Sequence, residues 1–139
     1  MKHEMNYRVP YADTDQMGVV YYANYLEYFE RSRTEMLRSA GLPYSEMEKS
    51  GFFLPVSEAH CKYYSSAHYD ELLTFRSWVR EMRGVRLVIE SEVWFEDTLL
   101  VKGHVVLASV NFDRKVVRLP KILVERCGQF LEEEEVVNV

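Results

Sequence analysis

Residues 11–40 read YADTDQMGVVYYANYLEYFERSRTEMLRSA, and this stretch decides the fold. Its second half carries apolar residues at three- and four-residue steps, the spacing of one helical face: Tyr22, Tyr25, Leu26, Phe29, Met36, Leu37 and Ala40. Charged residues fill the opposite face, and Gly41 and Pro43 then supply a C-terminal cap and a stop. The pattern predicts a helix over residues 22–40.

Two carboxylates and a glycine stand directly before this helix, at Asp13, Asp15 and Gly18. The start of a helix leaves backbone N–H groups unpaired and carries a partial positive charge, so it attracts an oxyanion or a carboxylate. Glycine lets the backbone turn tightly and approach a bound molecule. A carboxylate and amide donors could therefore meet at one reacting carbonyl, which is half of an acyl-transfer site.

Composition limits the class of protein. With 139 residues, of which 47% are hydrophobic and 14% aromatic, residues 1–139 are expected to form one domain with a well-filled core. The net charge of −5 argues against a nucleic-acid partner. Cys61 and Cys127 form no Cys-x-x-Cys pair, and the N-terminal residues lack an apolar signal region, so we expect a cytoplasmic protein. No transmembrane segment is expected either, because no apolar run approaches about 18 residues.

Beyond the helix the apolar period changes to two, which is typical of strands. A first strand is predicted over residues 6–10, and four more are predicted over residues 52–64, 72–82, 85–95 and 99–112. The pairs Arg83-Gly84 and Glu96-Asp97 are turn signals short enough for antiparallel hairpins.

Two short helices complete the predicted elements. Ser45 and Glu48 have the spacing of a capping box, and Pro120 is expected to open a last helix followed by a solvated acidic end at residues 132–135. The strand over residues 99–112 has apolar residues on both faces. Since one helix can bury only one face of a sheet, this strand predicts an oligomer.

The loop and the helix start follow the pattern YxDTDxxGVVYxxNY over residues 11–25. This pattern closely resembles the signature of the 4-hydroxybenzoyl-CoA thioesterase family, particularly its YbgC-like acyl-CoA thioesterases. The likeness continues through residues 30–37 and more loosely to about residue 119. It implies an α+β hotdog fold, in which a five-stranded antiparallel sheet wraps around one long central helix.

The resemblance also implies an activity: hydrolysis of an acyl-CoA with a short-chain or aromatic acyl group, by a dimer or a dimer of dimers (a homotetramer) that needs no metal or other cofactor. An acyl carrier protein is a possible further partner. By position, the family's catalytic carboxylate falls on Asp15 and its oxyanion-binding amide on the backbone N–H of Tyr22, with Gly18 alongside in the substrate-binding loop. Many YbgC-like relatives carry histidine where this chain has Tyr22, so an imidazole contribution is absent. A carboxylate can attack a thioester carbonyl or deprotonate a water, and both roles stay open for Asp15.

The same residues allow structural and metal-binding interpretations. Asp15 could be a loop carboxylate bonded to the following amides, and Asp13 is expected to be structural, paired with loop amides or with Thr14. A calcium loop starting at Asp13 fails because Met17 and Asn24 occupy two ligand positions. Zinc is not expected, since the histidines are scattered over different predicted elements. Candidates for binding the phosphates of coenzyme A are Lys62, Arg83, Arg86, Arg114 and Lys115.

Other functions remain open at this stage. A hotdog dehydratase would need a histidine beside its carboxylate, and none stands near Asp15 in the sequence. A non-catalytic acyl-CoA or acyl-carrier-protein binding or scaffold protein would keep the fold without the hydrolysis.

Overall fold

The computed structural model describes residues 1–132 and contains five strands and three α-helices within them. In chain order these are β1 (His3–Arg8), α1 (Asn24–Ser39), α2 (Tyr44–Lys49), β2 (Val56–Tyr63), β3 (Leu72–Arg83), β4 (Arg86–Phe95), β5 (Thr98–Ala108) and α3 (Lys121–Cys127). Single turns of 3-10 helix occur at Tyr11–Asp13 and Gly128–Phe130. No helix in this part of the chain is long and apolar enough to cross a membrane.

The strands form one antiparallel sheet in the order β1-β3-β4-β5-β2. A row of residues that lie opposite each other crosses all five strands: Met5, Phe75, Val93, Val101 and Tyr63. Helix α1 contacts β1, β2, β3 and β4. The buried Tyr25, Tyr28 and Phe29 of its first half share one core cluster with Phe75, Val93 and Val101 of this row. The five-stranded hotdog arrangement expected from the sequence is confirmed.

The inner face of the sheet alternates as the period of two requires. Leu87, Ile89, Ser91 and Val93 of β4 are all buried against α1 and its neighbours. Two buried serines of the sheet continue to a third on the helix: Ser91 Oγ lies 3.0 Å from Ser77 Oγ, and Ser77 is hydrogen-bonded to Ser32. The chain of hydroxyl groups gives each of these buried polar atoms a partner.

Several predicted boundaries shift. The helix predicted over residues 22–40 begins at Asn24, and the strand predicted to start at residue 52 begins at Val56. Phe53 makes only an isolated bridge to Val110, and Pro55 cannot donate an amide to a ladder. The first strand covers His3–Arg8 instead of residues 6–10, and the last ends at Ala108 instead of 112.

Both predicted short helices are present, but the capping box predicted for α2 is wrong. Helix α2 has Pro43 at its N-cap with no side-chain hydrogen bond, so Ser45 does not form the predicted capping box. Pro120 is the N-cap of α3, as the sequence indicated. Glu132 is exposed, whereas the rest of the predicted acidic end lies outside the described residues.

The outer face of β5 does not need a second subunit to cover it. Leu100 and Val106 are only 3% and 5% exposed in a single chain, so the inference of an oligomer from this strand was wrong in its premise. A register irregularity in the β4–β5 pairing accompanies Leu100, which joins the core beside α1. Val106 lies between Val88 of β4 and Glu58 of β2 on the outer face.

Gly103 in β5 tests how tightly α1 packs on the sheet. A Cβ at this position would collide with the His60 carbonyl oxygen and would lie 2.6 Å from a ring carbon of Phe29. We expect Gly103→Ala to lower the free energy of unfolding by about 1–3 kcal/mol in urea denaturation, since neither the backbone nor the buried ring can yield cheaply.

The matched control is Gly128→Ala, because a Cβ there meets nothing within 4 Å and the backbone φ is negative. This variant should unfold like the parent chain. Equal stability of the two alanine variants would contradict the described packing of Phe29.

Candidate active site

The loop before α1 is a small hairpin. Thr14 bridges Val20, and the Asp15 amide donates to the Val19 carbonyl at 2.9 Å. Gly18 closes the turn, with its amide donating to the Asp15 carbonyl at 3.0 Å and its φ at +77°. That left-handed conformation favours glycine over residues with a Cβ, which explains the residue type at this position.

Asp15 lies on the exposed tip of this hairpin. Its Oδ1 accepts a hydrogen bond from the Met17 amide at 2.8 Å. This is the contact expected of a loop carboxylate bonded to the following amides. Its Oδ2 accepts no hydrogen bond from residues 1–132. One oxygen therefore holds the side chain in place, and the other keeps its lone pairs for an incoming group.

The first turn of α1 is wound as a 3-10 turn. The amides of Asn24, Tyr25 and Leu26 each donate three residues back, at 2.9 to 3.4 Å. Within the described part of the chain, the amides of Tyr22 and Ala23 donate to no acceptor. Tyr22 thus precedes the helix instead of starting it, but its N–H group is one of two free donors at this end.

A tyrosine on the edge strand holds the same peptide segment from the other side. The Tyr63 hydroxyl donates to the Tyr22 carbonyl at 3.1 Å, and the two rings meet edge to face with centroids 6.3 Å apart. Burial, followed by the contact with Cys61, raises the pKa of Tyr63 to about 12. Its hydroxyl therefore stays protonated and remains a donor at neutral pH.

Asp13 faces inward and is bonded on both its side chain and its backbone. Its Oδ2 accepts from the hydroxyl of Tyr28 at 2.8 Å and from that of Tyr7 at 3.3 Å. Its carbonyl accepts from the Tyr21 amide at 3.0 Å and from the Asn24 side chain at 2.9 Å. A structural role was expected for Asp13, but the expected partners were wrong, because loop amides and Thr14 do not bind its carboxylate.

One hydrogen bond joins the two ends of the loop that carries Asp15. The Tyr21 amide binds the Asp13 carbonyl, so the chain on either side of this bond runs toward Asp15 in one direction and toward Tyr22 in the other. Sequence reasoning missed the hydroxyl groups of Tyr7, Tyr28 and Tyr63. No spacing rule could have found these three residues, because they lie on three different elements.

The five basic candidates for phosphate contacts do not form one patch. Arg83 and Arg86 lie at the β3–β4 turn, where Arg86 Nε is 3.3 Å from a carboxylate oxygen of Glu81. Lys62 lies opposite Lys102 of β5, while Arg86 lies opposite Ala108 of the same strand. Six residues of strand, about 20 Å, separate those two positions.

Comparison with known proteins identifies the class. The profile of the thioesterase-like superfamily matches residues 9–127, which include the hairpin, α1 and the whole of β2 to β5. A crystal structure of a probable thioesterase from Bartonella henselae superposes with a TM-score of 0.81 and 35% identity, covering 86% of this chain and all of that one. The chain belongs to the thioesterase-like superfamily and is a thioester hydrolase of the hotdog fold.

Sequence relatives narrow the comparison. The acyl-CoA thioester hydrolase YbgC of Escherichia coli O157:H7 is 35% identical over 124 residues, which cover 88% of this chain and 92% of YbgC. YneP of Bacillus subtilis is 41% identical over 80 residues, and this match covers 58% of each chain. The chain is therefore similar to YbgC over nearly the full length of YbgC.

Tyr28→Phe tests the inward contact of Asp13. The substitution removes a hydroxyl that donates to the half-buried Asp13 carboxylate. Burial raises the pKa of Tyr28 well above its usual range, so the hydroxyl stays protonated and donates at all ordinary pH values. We expect a loss of about 1.5–3 kcal/mol in the free energy of unfolding, measured in urea.

The control is Tyr69→Phe, which removes the same hydroxyl from an exposed tyrosine. Its stability should stay within about 0.5 kcal/mol of the parent chain. If the two variants were equally stable, the Asp13 contact would have no structural weight.

Proposed function

We propose that the chain hydrolyses acyl-CoA thioesters with short-chain or aromatic acyl groups, releasing the free acid and coenzyme A. One observation carries this proposal: the Asp15 loop offers a carboxylate oxygen without a hydrogen bond, and the segment after it offers backbone amides without acceptors. The hydrogen bond between Asp13 and Tyr21 joins this loop to that segment. The name of the similar YbgC, an acyl-CoA thioester hydrolase, supports the choice of substrate.

In the proposed mechanism, the amides of Tyr22 and Ala23 donate to the thioester carbonyl oxygen and stabilise the negative charge that develops there. Asp15 acts on the carbonyl carbon in one of two ways. As a nucleophile it would form an acyl anhydride that water then hydrolyses; as a general base it would take a proton from the attacking water. In both, the C–S bond breaks and the coenzyme A thiolate leaves with the electron pair.

Arg83 and Arg86 lie at the β3–β4 turn, about 23 Å along the sheet from the row of Tyr63 that meets Tyr22, so they are not proposed as contacts for coenzyme A phosphates. Lys62, which precedes Tyr63 on β2, remains a prediction from the sequence for this contact. An acyl carrier protein as the donor of the thioester remains a prediction from the sequence.

An oligomer is also proposed, on different grounds from those first used. Strand β2 lies at the edge of the sheet, and every residue of it except Cys61 is exposed. An open edge of this length is a template for pairing with another strand. Because Tyr63 on this strand binds the Tyr22 carbonyl, a second copy paired along β2 would lie against the site.

Asp15→Asn is the decisive substitution. Asparagine keeps the size of the side chain but neither attacks a thioester nor takes a proton at neutral pH. We therefore expect kcat for acyl-CoA hydrolysis to fall by about 10²–10⁴-fold. The assay measures thiol release from short, long and aromatic acyl-CoAs. Melting temperature should stay unchanged, since Asp15 is exposed.

Two further variants control this experiment. Asp97→Asn removes an exposed turn carboxylate and should leave both activity and stability unchanged. Asp13→Asn should lower stability through the Tyr28 contact while retaining more activity than Asp15→Asn. Full activity of Asp15→Asn, or no hydrolysis by the parent chain with any acyl-CoA, would overturn the proposal and favour a non-catalytic binding or scaffold protein.

Val56→Glu tests the proposed assembly. This exposed valine begins β2, so a carboxylate there would lose water on burial against a paired copy and should weaken the pairing. Light scattering after size exclusion should give a dimer or larger mass for the parent chain and a smaller mass for Val56→Glu. Val116→Glu, at an exposed valine outside the sheet, should keep the parent mass. A monomeric parent chain would exclude the assembly.

A further inference from the structure

An open groove runs beside the second half of α1. Its volume is about 790 Å³, and it opens to solvent.

 It lies between α1, α2, the segment before β2 and the loop after β5. Apolar side chains make up most of its wall: Leu37, Tyr44, Met47, Phe52, Phe53, Leu54, Leu107 and Phe112. Its charged residues are Glu30, Arg33 and Arg114.

Arg33 is the unusual member of this wall. It is partly buried, and no carboxylate of residues 1–132 comes within the 4.0 Å of an ion pair, although Glu30 lies one helical turn away. Burial lowers the pKa of Arg33 from its ordinary value, and the charge of Glu30 only partly opposes this. A guanidinium withdrawn from water without an anionic partner is unfavourable, and a planar carboxylate is the group that fits it best.

A stripe on one side of α1 runs from the start of the helix to this groove. Its residues Leu26, Glu30 and Arg33 follow each other at steps of four and three residues, and Tyr22 lies in the turn just before the helix. Tyr22 and Leu26 are 61% and 41% exposed, so their side chains are accessible to a bound acyl chain. The rise of a helix places Arg33 about 11 Å along the axis from Leu26.

We propose that the groove receives the far end of the acyl group, and that Arg33 makes the enzyme selective for acyl groups that end in a carboxylate. This inference rests on the proposed function, because the thioester must sit at Asp15 and Tyr22 for the acyl chain to run along the stripe. Arg114 at the groove adds a second positive charge, and together the two arginines outweigh the single charge of Glu30.

The test compares matched pairs of substrates that differ only at the end of the chain. Acyl-CoAs of six, eight and ten carbons, each with a terminal methyl or a terminal carboxylate, are assayed by thiol release. The parent chain should favour the carboxylate-ended member by about tenfold in kcat/KM at one of these lengths, the effect of one charge-assisted hydrogen bond. Arg33→Met should bring that ratio to about one, and Arg33→Lys should give an intermediate value.

The matched control is Arg38→Met, which removes the same charge from an exposed position on α1, where Arg38 pairs with Glu35 at 3.3 Å. This variant should keep the parent ratio. A parent chain that favours the methyl-ended member at every length, or an Arg33→Met variant that keeps the parent ratio, would overturn the inference while leaving the proposed function intact.

Binding measurements keep the test informative if the chain hydrolyses no acyl-CoA at all. Calorimetric titration of Asp15→Asn and of Asp15→Asn with Arg33→Met then compares the same substrate pairs. Tighter binding of the carboxylate-ended member only when Arg33 is present would support the selectivity of Arg33, independently of hydrolysis. Equal binding by both variants would refute the selectivity of Arg33.

Discussion

The hydrogen bonds of Asp13 are the constraint on which the site depends. One carboxylate oxygen is shared by hydroxyl groups from β1 and α1, and the carbonyl of the same residue takes the Tyr21 amide and the Asn24 side chain. Strand β1, the hairpin and the first half of α1 are therefore joined at Asp13. Hydrogen bonds to a charged group are stronger than neutral ones, so the least exposed aspartate of the loop is the anchor of the site. The exposed Asp15 is positioned by this anchor, and it is left available for chemistry.

Much of the fold could be predicted because simple periods dominate it. The three- and four-residue steps of α1 and the alternation of Leu87, Ile89 and Val93 reflect burial on one side of an element, which a sequence displays directly. The errors arose where a contact between elements overrides the local pattern. Leu100 joins the helix side of the sheet through an irregular register, and Pro43 caps α2 where Ser45 had the better side chain. Neither effect leaves a signal in the spacing of residues.

The site was predictable to a smaller extent. Asp15 and Gly18 were predicted as site residues because their motif is specific, and the turn at Gly18 has the conformation that its residue type indicates. The helix start was placed two residues early, since a 3-10 turn cannot be distinguished from a first α-helical turn by sequence. The tyrosines around Asp13 and the groove beside Arg33 depend on which elements meet in space. Their roles became visible only when the distances between them were known.

The hydroxyl of Tyr63 has one more consequence. It joins the outermost strand of the sheet to the carbonyl of residue 22, so the peptide plane that follows this carbonyl, and with it the Ala23 amide, turns when the strand moves. The position of β2 and the orientation of the Ala23 amide are thus linked through the side chain of Tyr63. A group that displaced this edge of the sheet would therefore also reorient the Ala23 donor.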